Sequence, residues 1–174
     1  MIEVEVKARA PPGIEEKIID LGGAKIGEET HHDHYFNSPS HDFAKSDEAL
    51  RIRIKEDGAN LTFKGPKLDP DTKSRREVRV KIADPLAMET ILESLGFSLA
   101  AVVKKRRTKY SLEEAVLCVD DVEGLGTFLE VELSGGADWQ VQKRTALDIM
   151  ARLGISESIR ESYLELLAEG RDGR

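Results

Sequence analysis

Residues 1–7 read Met1-Ile2-Glu3-Val4-Glu5-Val6-Lys7. Successive side chains of a β-strand point to opposite faces, so Glu3, Glu5 and Lys7 share one face while Ile2, Val4 and Val6 share the other. The alternation returns in Phe128-Leu129-Glu130-Val131-Glu132-Leu133. Between these stretches, Leu50-Arg51-Ile52-Arg53-Ile54 and Leu61-Thr62-Phe63-Lys64 carry it with basic residues. A sheet with acids on its end strands and bases on its middle strands suits a cation and a polyanion bound together. For any one strand the simpler account is an amphipathic sheet that wets its charged face.

Shifted by 74 residues, the opening aligns with a later segment: Glu3 with Glu77, Val4 with Val78, Val6 with Val80 and Lys7 with Lys81. Pro11 then meets Pro85, Leu21 meets Leu95 and Gly22 meets Gly96. Each copy reads as a strand, a proline-started helix and a glycine stop. In the second copy Asp84 is the expected N-cap, Pro85 the first helical residue, and Leu86, Ile91, Leu92 and Leu95 an apolar stripe. Strands are expected at 32–36, 49–55 and 61–64, and again at 102–110, 115–122 and 127–133. Gly124-Leu125-Gly126 forms a tight turn. Residues 65–74 read as a mobile loop, and 138–153 and 156–168 as two terminal helices with Leu147, Met150 and Leu153 on one face.

The result is about eight strands in two β-α-β-β-β halves, an α+β fold that can close into an antiparallel barrel. The helices need an apolar partner, and the aliphatic face of the sheet is the large one available. The helices then cover the outside and the charged face lines the interior. Charges in a lumen are costly unless they pair or bind something, so this arrangement points to a ligand. The parity places Glu3, Glu5, Glu130 and Glu132 in the lumen, with Asp120 nearby and Glu77 beside them. Hard oxygen donors suit Mg²⁺ or Mn²⁺. Lys7, Arg51, Arg53, Lys64, Lys105 and Arg107 face them, a set that suits a di- or triphosphate.

Composition narrows the classes. A chain of 174 residues suits one domain that buries about two-thirds of its unfolded surface. A net charge of −7 argues against nonspecific nucleic-acid binding. The single cysteine, Cys118, excludes an internal disulfide and fits a cytoplasmic protein. No apolar run approaches the roughly 20 residues of a membrane span, and the N-terminus lacks the apolar core of a signal peptide.

The chain resembles the CYTH domain superfamily, the triphosphate tunnel metalloenzymes named from class IV adenylyl cyclases and thiamine triphosphatases. The resemblance rests on Glu3-Val4-Glu5-Val6-Lys7, on Asp33-His34-Tyr35-Phe36-Asn37-Ser38-Pro39 and on Ala49-Leu50-Arg51-Ile52-Arg53. It continues through Leu61-Thr62-Phe63-Lys64-Gly65, Lys105-Arg106-Arg107 with Tyr110, and Val119 to Glu132. Ser162-Tyr163-Leu164-Glu165-Leu166-Leu167 is similar to the closing helix of the cyclase-like branch. It implies a single domain over 1–174 and an eight-stranded antiparallel tunnel. It also implies Glu3, Glu5, Glu130, Glu132 and Asp120 (or its neighbour Asp121) as metal residues. Lys7, Arg51, Arg53, Lys64, Lys105 and Arg107 match the triphosphate-binding cations. Two departures stand out. The His-Phe pair that class IV cyclases carry before the Glu-x-Glu-x-Lys is missing, and Arg79 replaces a glutamate that follows the position of Glu77.

Other residues attract attention without carrying a site. His31, His32 and His34 lack the spacing of a zinc centre and read as surface strand histidines. Cys118 reads as a small buried residue, Trp139 as a packing residue, and Lys104 to Arg107 splits between the two faces of a strand. Three functions follow. The first is a Mg²⁺- or Mn²⁺-dependent hydrolase of an inorganic, nucleoside or thiamine triphosphate, with Lys7, Glu5 and Glu132 as catalytic residues. The second is a lyase of the class IV adenylyl cyclase type, which forms cyclic AMP and pyrophosphate from ATP. The third is a polyphosphate-binding module without turnover. The expected partner is a small triphosphate, with no nucleic acid and no membrane, and the terminal helices offer a surface for a homodimer.

Overall fold

The opening strand is buried on both faces. Val4, Val6 and Ala8 lie under helices while Glu5 and Lys7 point the other way, and all five are buried. The computed structural model describes residues 2–68, 74–134 and 138–172, apart from the side chains of residues 2, 3, 171 and 172. The first half runs β1 (Ile2–Arg9), α1 (Ile14–Asp20), β2 (Ala24–Asn37), α2 (Phe43–Ser46), β3 (Ala49–Lys55) and β4 (Gly58–Lys67). The second runs β5 (Arg75–Ile82), α3 (Pro85–Ser94), β6 (Ser98–Leu112), β7 (Ala115–Val122) and β8 (Gly126–Leu133), followed by α4 (Trp139–Arg152) and α5 (Tyr163–Asp172).

The strands close into an antiparallel barrel in the order β1-β5-β4-β3-β2-β6-β7-β8. The expected halves are present, each starting on a strand that the 74-residue offset relates, β1 and β5. The pseudo-two-fold axis passes between β2 and β6. Thr30 pairs with Arg106 and His32 with Lys104, while His31 pairs with Lys105, its own counterpart in the repeat. The barrel seam is short, since β1 meets β5 only through Ile2–Arg76 and Glu3–Arg75.

Helices pack on the aliphatic face as expected. One core joins Val6, Leu117, Leu129 and Val131 to Ile14 and Ile18 of α1 and to Ala146, Ile149 and Met150 of α4. A second joins Phe36, Leu50 and Ile52 to Phe43 of α2 and Leu92 of α3. Helix α5 does something different. Tyr163 packs with Tyr35, Val103, Val122 and Phe128, residues at one end of the barrel's inner face, so α5 caps that end. Among the described residues, no helix is long and apolar enough to cross a membrane.

Several expected boundaries move. β2 starts at Ala24, eight residues before the expected 32, because residues 24–31 pair with β6 while carrying few apolar side chains. β4 and β6 lengthen for the same reason, since ladder hydrogen bonds extend them past their apolar stretches. Pro11 does not start α1; Gly13, at φ 75, is its N-cap and supplies a left-handed turn that a side chain disfavours. Asp84 does cap α3, accepting from Ala87 N at 3.0 Å, and Pro85 is its first residue. The expected α3 stripe is wrong: Leu92 is 6% exposed, but Leu86, Ile91 and Leu95 are 70%, 51% and 65% exposed. The helix meets the barrel through Leu92 and Met88, an i, i+4 pair that leaves those three in solvent. The expected loop at 65–74 is shorter, because β4 reaches Lys67 and Leu68 N donates to Ser74 O; residues 69–73 lie outside the described residues. The last helix begins at Tyr163, not 156, because Ile159 N is held by Lys7 O at 2.6 Å.

Core and exposed apolar positions should respond differently to truncation. Ile149→Ala should cost about 2–5 kcal/mol in urea unfolding, whereas Leu86→Ala should stay within about 0.5 kcal/mol. Equal losses would mean that Leu86 is packed as firmly as Ile149.

Candidate active site in the barrel lumen

The alternation that buries Val4 and Val6 outside turns Glu5 inward, and β8 brings Glu130 and Glu132 beside it. Glu5 pairs with Glu132 in the ladder, and Lys7 with Glu130. One oxygen from each of Glu5, Glu130 and Glu132 lies within 4.8 Å of the others, a group that could hold a metal ion. The donors are all carboxylate oxygens, and the three residues are buried or half-buried. Such a set fits a hard divalent cation. The side chain of Glu3 lies outside those described.

Parity turns Asp120 inward and Asp121 outward. Asp120 is buried in the interior, while Asp121 is exposed beside Arg106. Asp120 accepts from Lys105 Nζ at 2.5 Å, from Arg107 Nε and Nη2 at 2.6 and 2.7 Å, and from Tyr163 Oη at 2.9 Å. It is therefore surrounded by donors, and Arg107 bridges it to Glu130 of the carboxylate trio. Burial alone would raise its pKa, but Lys105 and Arg107 outweigh that and hold it below the usual carboxylate range. The same charges keep Arg107 protonated, its pKa raised against burial by Asp120 and Glu132. Arg107 also donates Nη1 to Glu132 at 2.7 Å and Nη2 to Glu130.

A second anchor sits on β2. Asp33 accepts Arg53 Nε at 2.7 Å and Nη2 at 2.6 Å, a two-pronged pair, and Arg51 approaches it at 3.7 Å. Burial would raise the Asp33 pKa, and Arg53 and Arg51 drive it well below the usual range instead. Lys64 pairs with Glu77. Tyr163 is kept neutral by burial and by Glu130 and Asp120, so it remains a hydrogen-bond donor.

One cavity of about 500 Å³ joins these groups. Arg51, Arg53, Lys64, Lys105 and Arg107 line it together with Glu5, Glu130 and Glu132. Asp120 does not line it, and neither does Lys7. The ammonium of Lys7 donates to Glu161 O and sits over the rings of Phe128 and Tyr163, 5.6 and 4.4 Å from their centroids. Sequence reasoning missed Asp33, Arg75, Glu29, His31 and Lys109 as lumen residues. Starting β2 at Ala24 would have revealed Glu29, His31 and Asp33 by their shared parity. It also misplaced His31, which is 1% exposed and inside the barrel. His32 is exposed, and His34 bonds Glu89 at 2.5 Å, so the three histidines cannot converge on one zinc ion. Cys118 is buried as expected, and burial raises its thiol pKa.

The structure is thus a closed β-barrel with a carboxylate trio and a set of arginines and lysines on its inner wall, charges that suit a cation and a polyanion. Residues 1–163 match the CYTH domain family, and the chain belongs to it. A Methanocaldococcus jannaschii protein with a provisional adenylate cyclase name is 40% identical over 172 residues, covering 95% of this chain and 98% of its own. The PH1819 protein of Pyrococcus horikoshii has a similar structure. It has a TM-score of 0.91 and 39% identity, with 97% of this chain and 99% of that one covered. A Hippeastrum protein named as an adenylyl cyclase and described as having a dominant triphosphatase activity shares the fold. Its TM-score is 0.69 at 23% identity, with 99% of this chain and 96% of that one covered.

The lumen should make the fold acid-sensitive in two steps. Burial, then Arg53 and Lys105, lower the His31 pKa from 6.5 to about 3, so the unfolded chain binds a proton that the folded one refuses. Stability should therefore fall as pH drops from 6.5 towards 3, and the depressed Asp33 and Asp120 should add losses only below their usual 3.8. Thermal unfolding midpoints between pH 6.5 and about 5 should decline for the wild type and stay flatter for His31→Gln. Parallel slopes would reject the assignment.

Proposed function

We propose that this chain is a divalent-metal-dependent enzyme that hydrolyses a triphosphate held in the barrel lumen. The observation that carries this reading is the single cavity lined by both the carboxylate trio and five of the six expected phosphate-binding cations. Its volume of about 500 Å³ lies in the range of ligand pockets. A purely anion-binding lumen would gain nothing from three carboxylates placed together.

Arg51, Arg53, Lys64, Lys105 and Arg107 would grip phosphate oxygens. Asp33 and Asp120 would keep Arg53, Lys105 and Arg107 aimed without reorganisation during the reaction, which is how fixed charges lower a barrier. Arg51 is the cation most ready for a ligand. Its Nε is buried without a hydrogen-bond partner among the described residues, as is Oγ1 of its cross-strand neighbour Thr62. Glu5, Glu130 and Glu132 would hold Mg²⁺ or Mn²⁺, which when bound neutralises phosphate charge and lowers the pKa of a coordinated water. Glu132, the most exposed of the three, is the candidate to take the proton of the attacking water, with Glu5 beside it. Asp120 acts here as an anchor for cations. Lys7 would reach a phosphate only by exchanging its contact with Glu161 O.

A second reading, cyclisation of ATP, is favoured by one observation. The same cavity continues past the cations to Tyr35, Phe43, Ala101, Leu164 and Leu167, where an organic group would sit better than phosphate. On this fold the Hippeastrum protein pairs a cyclase name with a dominant triphosphatase activity, so a name does not choose between the reactions.

Turnover of ATP and tripolyphosphate with Mg²⁺ or Mn²⁺, with products separated by chromatography, tests both. Orthophosphate release is expected, abolished by EDTA and reduced about a hundredfold or more in Glu130→Gln. Cyclic AMP with pyrophosphate would move the assignment to the cyclase. Tight binding with no product would leave a binding module.

A further inference from the structure

Among the described residues lining the lumen, His31 supplies an imidazole that no part of the proposed mechanism uses. His31 lies on β2 opposite Lys105 of β6, on the pseudo-two-fold axis, where the 74-residue repeat makes the two residues equivalent. Lys105 is one of the expected phosphate-binding cations, so His31 occupies the matching place in the other half. Its Nε2 lies 2.7 Å from Glu29 Oε2, and Glu29 in turn is bound by Lys109 and approached by Lys55 at 3.5 Å. Its Nδ1 is buried and has no hydrogen-bond partner among the described residues. Buried polar atoms are nearly always bonded, so an unbonded one on a cavity wall marks a place for a ligand atom. His31 lines the same cavity as Arg51, Arg53, Lys105 and Arg107.

We propose that His31 is a phosphate ligand of the lumen, donating from Nδ1 to an anionic oxygen while Glu29 holds Nε2. The proposal rests on the reading of the lumen as a polyphosphate site and adds to it a ligand that changes charge on binding. The groups facing the ring are Glu29 and Asp33 on its own strand, Arg53 and Lys55 on β3, and Lys105, Arg107 and Lys109 on β6. Burial together with Arg53 and Lys105 keeps the ring neutral in the free chain, although the Glu29 hydrogen bond pulls the other way. A polyphosphate brings several negative charges among those same cations and offsets their repulsion. The ring then takes one proton from solvent and becomes an imidazolium with two N–H donors, one for Glu29 and one for a phosphate oxygen. A pKa that is higher in the complex than in the free chain means proton uptake on binding, so affinity rises as pH falls between the two values.

The test uses the full chain and tripolyphosphate without metal. Calorimetry near pH ~5.5 in two buffers of different protonation enthalpy counts the protons exchanged, and NMR follows the imidazole signals. With four histidines in the chain, His32→Gln, His34→Gln and His41→Gln identify the His31 signal by elimination. The expected result is that saturating tripolyphosphate moves the His31 titration from about 3 into the ordinary imidazole range. The wild type should take up close to one proton more than His31→Gln, whose affinity should fall about tenfold, the scale of one hydrogen bond to a charged group. Tripolyphosphate that binds while the His31 titration stays put overturns the proposal and leaves the polyphosphate reading intact. No binding by the wild type sinks both. If His31→Gln fails to fold, the wild-type titration decides alone.

Discussion

The structure depends on the charge cluster around Asp120. A carboxylate, an ammonium and a guanidinium with almost no exposure to solvent are tolerated only when each satisfies the others, because stripping solvent from a lone charge costs several kcal/mol. Asp120 meets that condition four times over, through Lys105, two nitrogens of Arg107 and the hydroxyl of Tyr163. These donors come from β6 and from the start of α5, far apart in sequence. The anion therefore fixes both the inner wall of the barrel and the position of the segment that caps its end. Removing one partner would leave the rest buried and uncompensated, which is why the cluster constrains the fold more than any single apolar contact.

A barrel with charges inside must bury its aliphatic face outside, and this decides where the helices go. Helices α1 and α4 cover β1 and β6 to β8, and α2 and α3 cover β2 and β3. The outer faces of β4 and β5 are covered only in part: Leu61 and Ile82 pack against the second core, while Phe63, Val78 and Val80 are exposed. Helix α5 sits differently because its partners are the aromatic and aliphatic residues at one rim of the lumen. Its start is fixed by a reciprocal cap: Glu165 N donates to Ser162 Oγ at 3.2 Å, while Ser162 N donates to Glu165 Oε2 at 2.5 Å. Lys67 reaches Glu165 at 3.4 Å and ties the cap to the end of β4.

Where period-two alternation is strong, the sequence discloses the structure. β1, β3 and β8 begin and end within a residue or two of expectation, and with them Glu5, Arg51, Arg53, Glu130 and Glu132 fall on the inner wall. The 74-residue repeat discloses the two halves. The first part of β2 is hidden because Glu28, Glu29 and Thr30 face solvent and lumen, and neither environment leaves an apolar mark on the sequence. Its backbone is held by β6, a partner that local pattern cannot name. The same gap conceals His31 and Glu29. The α3 stripe misleads for the opposite reason, since Leu86, Ile91 and Leu95 are apolar but find nothing to pack against. Lys7 shows a third kind of limit. Its parity is correctly inward, but the chain returns after α4 and places Glu161 and Tyr163 against its ammonium. Only tertiary structure reveals that.

Arg107 joins the two halves of the site. One guanidinium touches Asp120, which anchors the cations, and Glu130 and Glu132, which belong to the carboxylate trio. Its five donors are therefore shared between a buried carboxylate that is fully occupied and two on the cavity wall that have other partners to take. A cation that approached Glu130 and Glu132 would compete with Arg107 for their oxygens, and its own charge would push the guanidinium away from them. The Asp120 contacts would hold the guanidinium in the wall, leaving Nη1 to turn towards the cavity. Loading the carboxylates and arming a donor for an anion would then be one event, because both would draw on the hydrogen bonds of a single side chain.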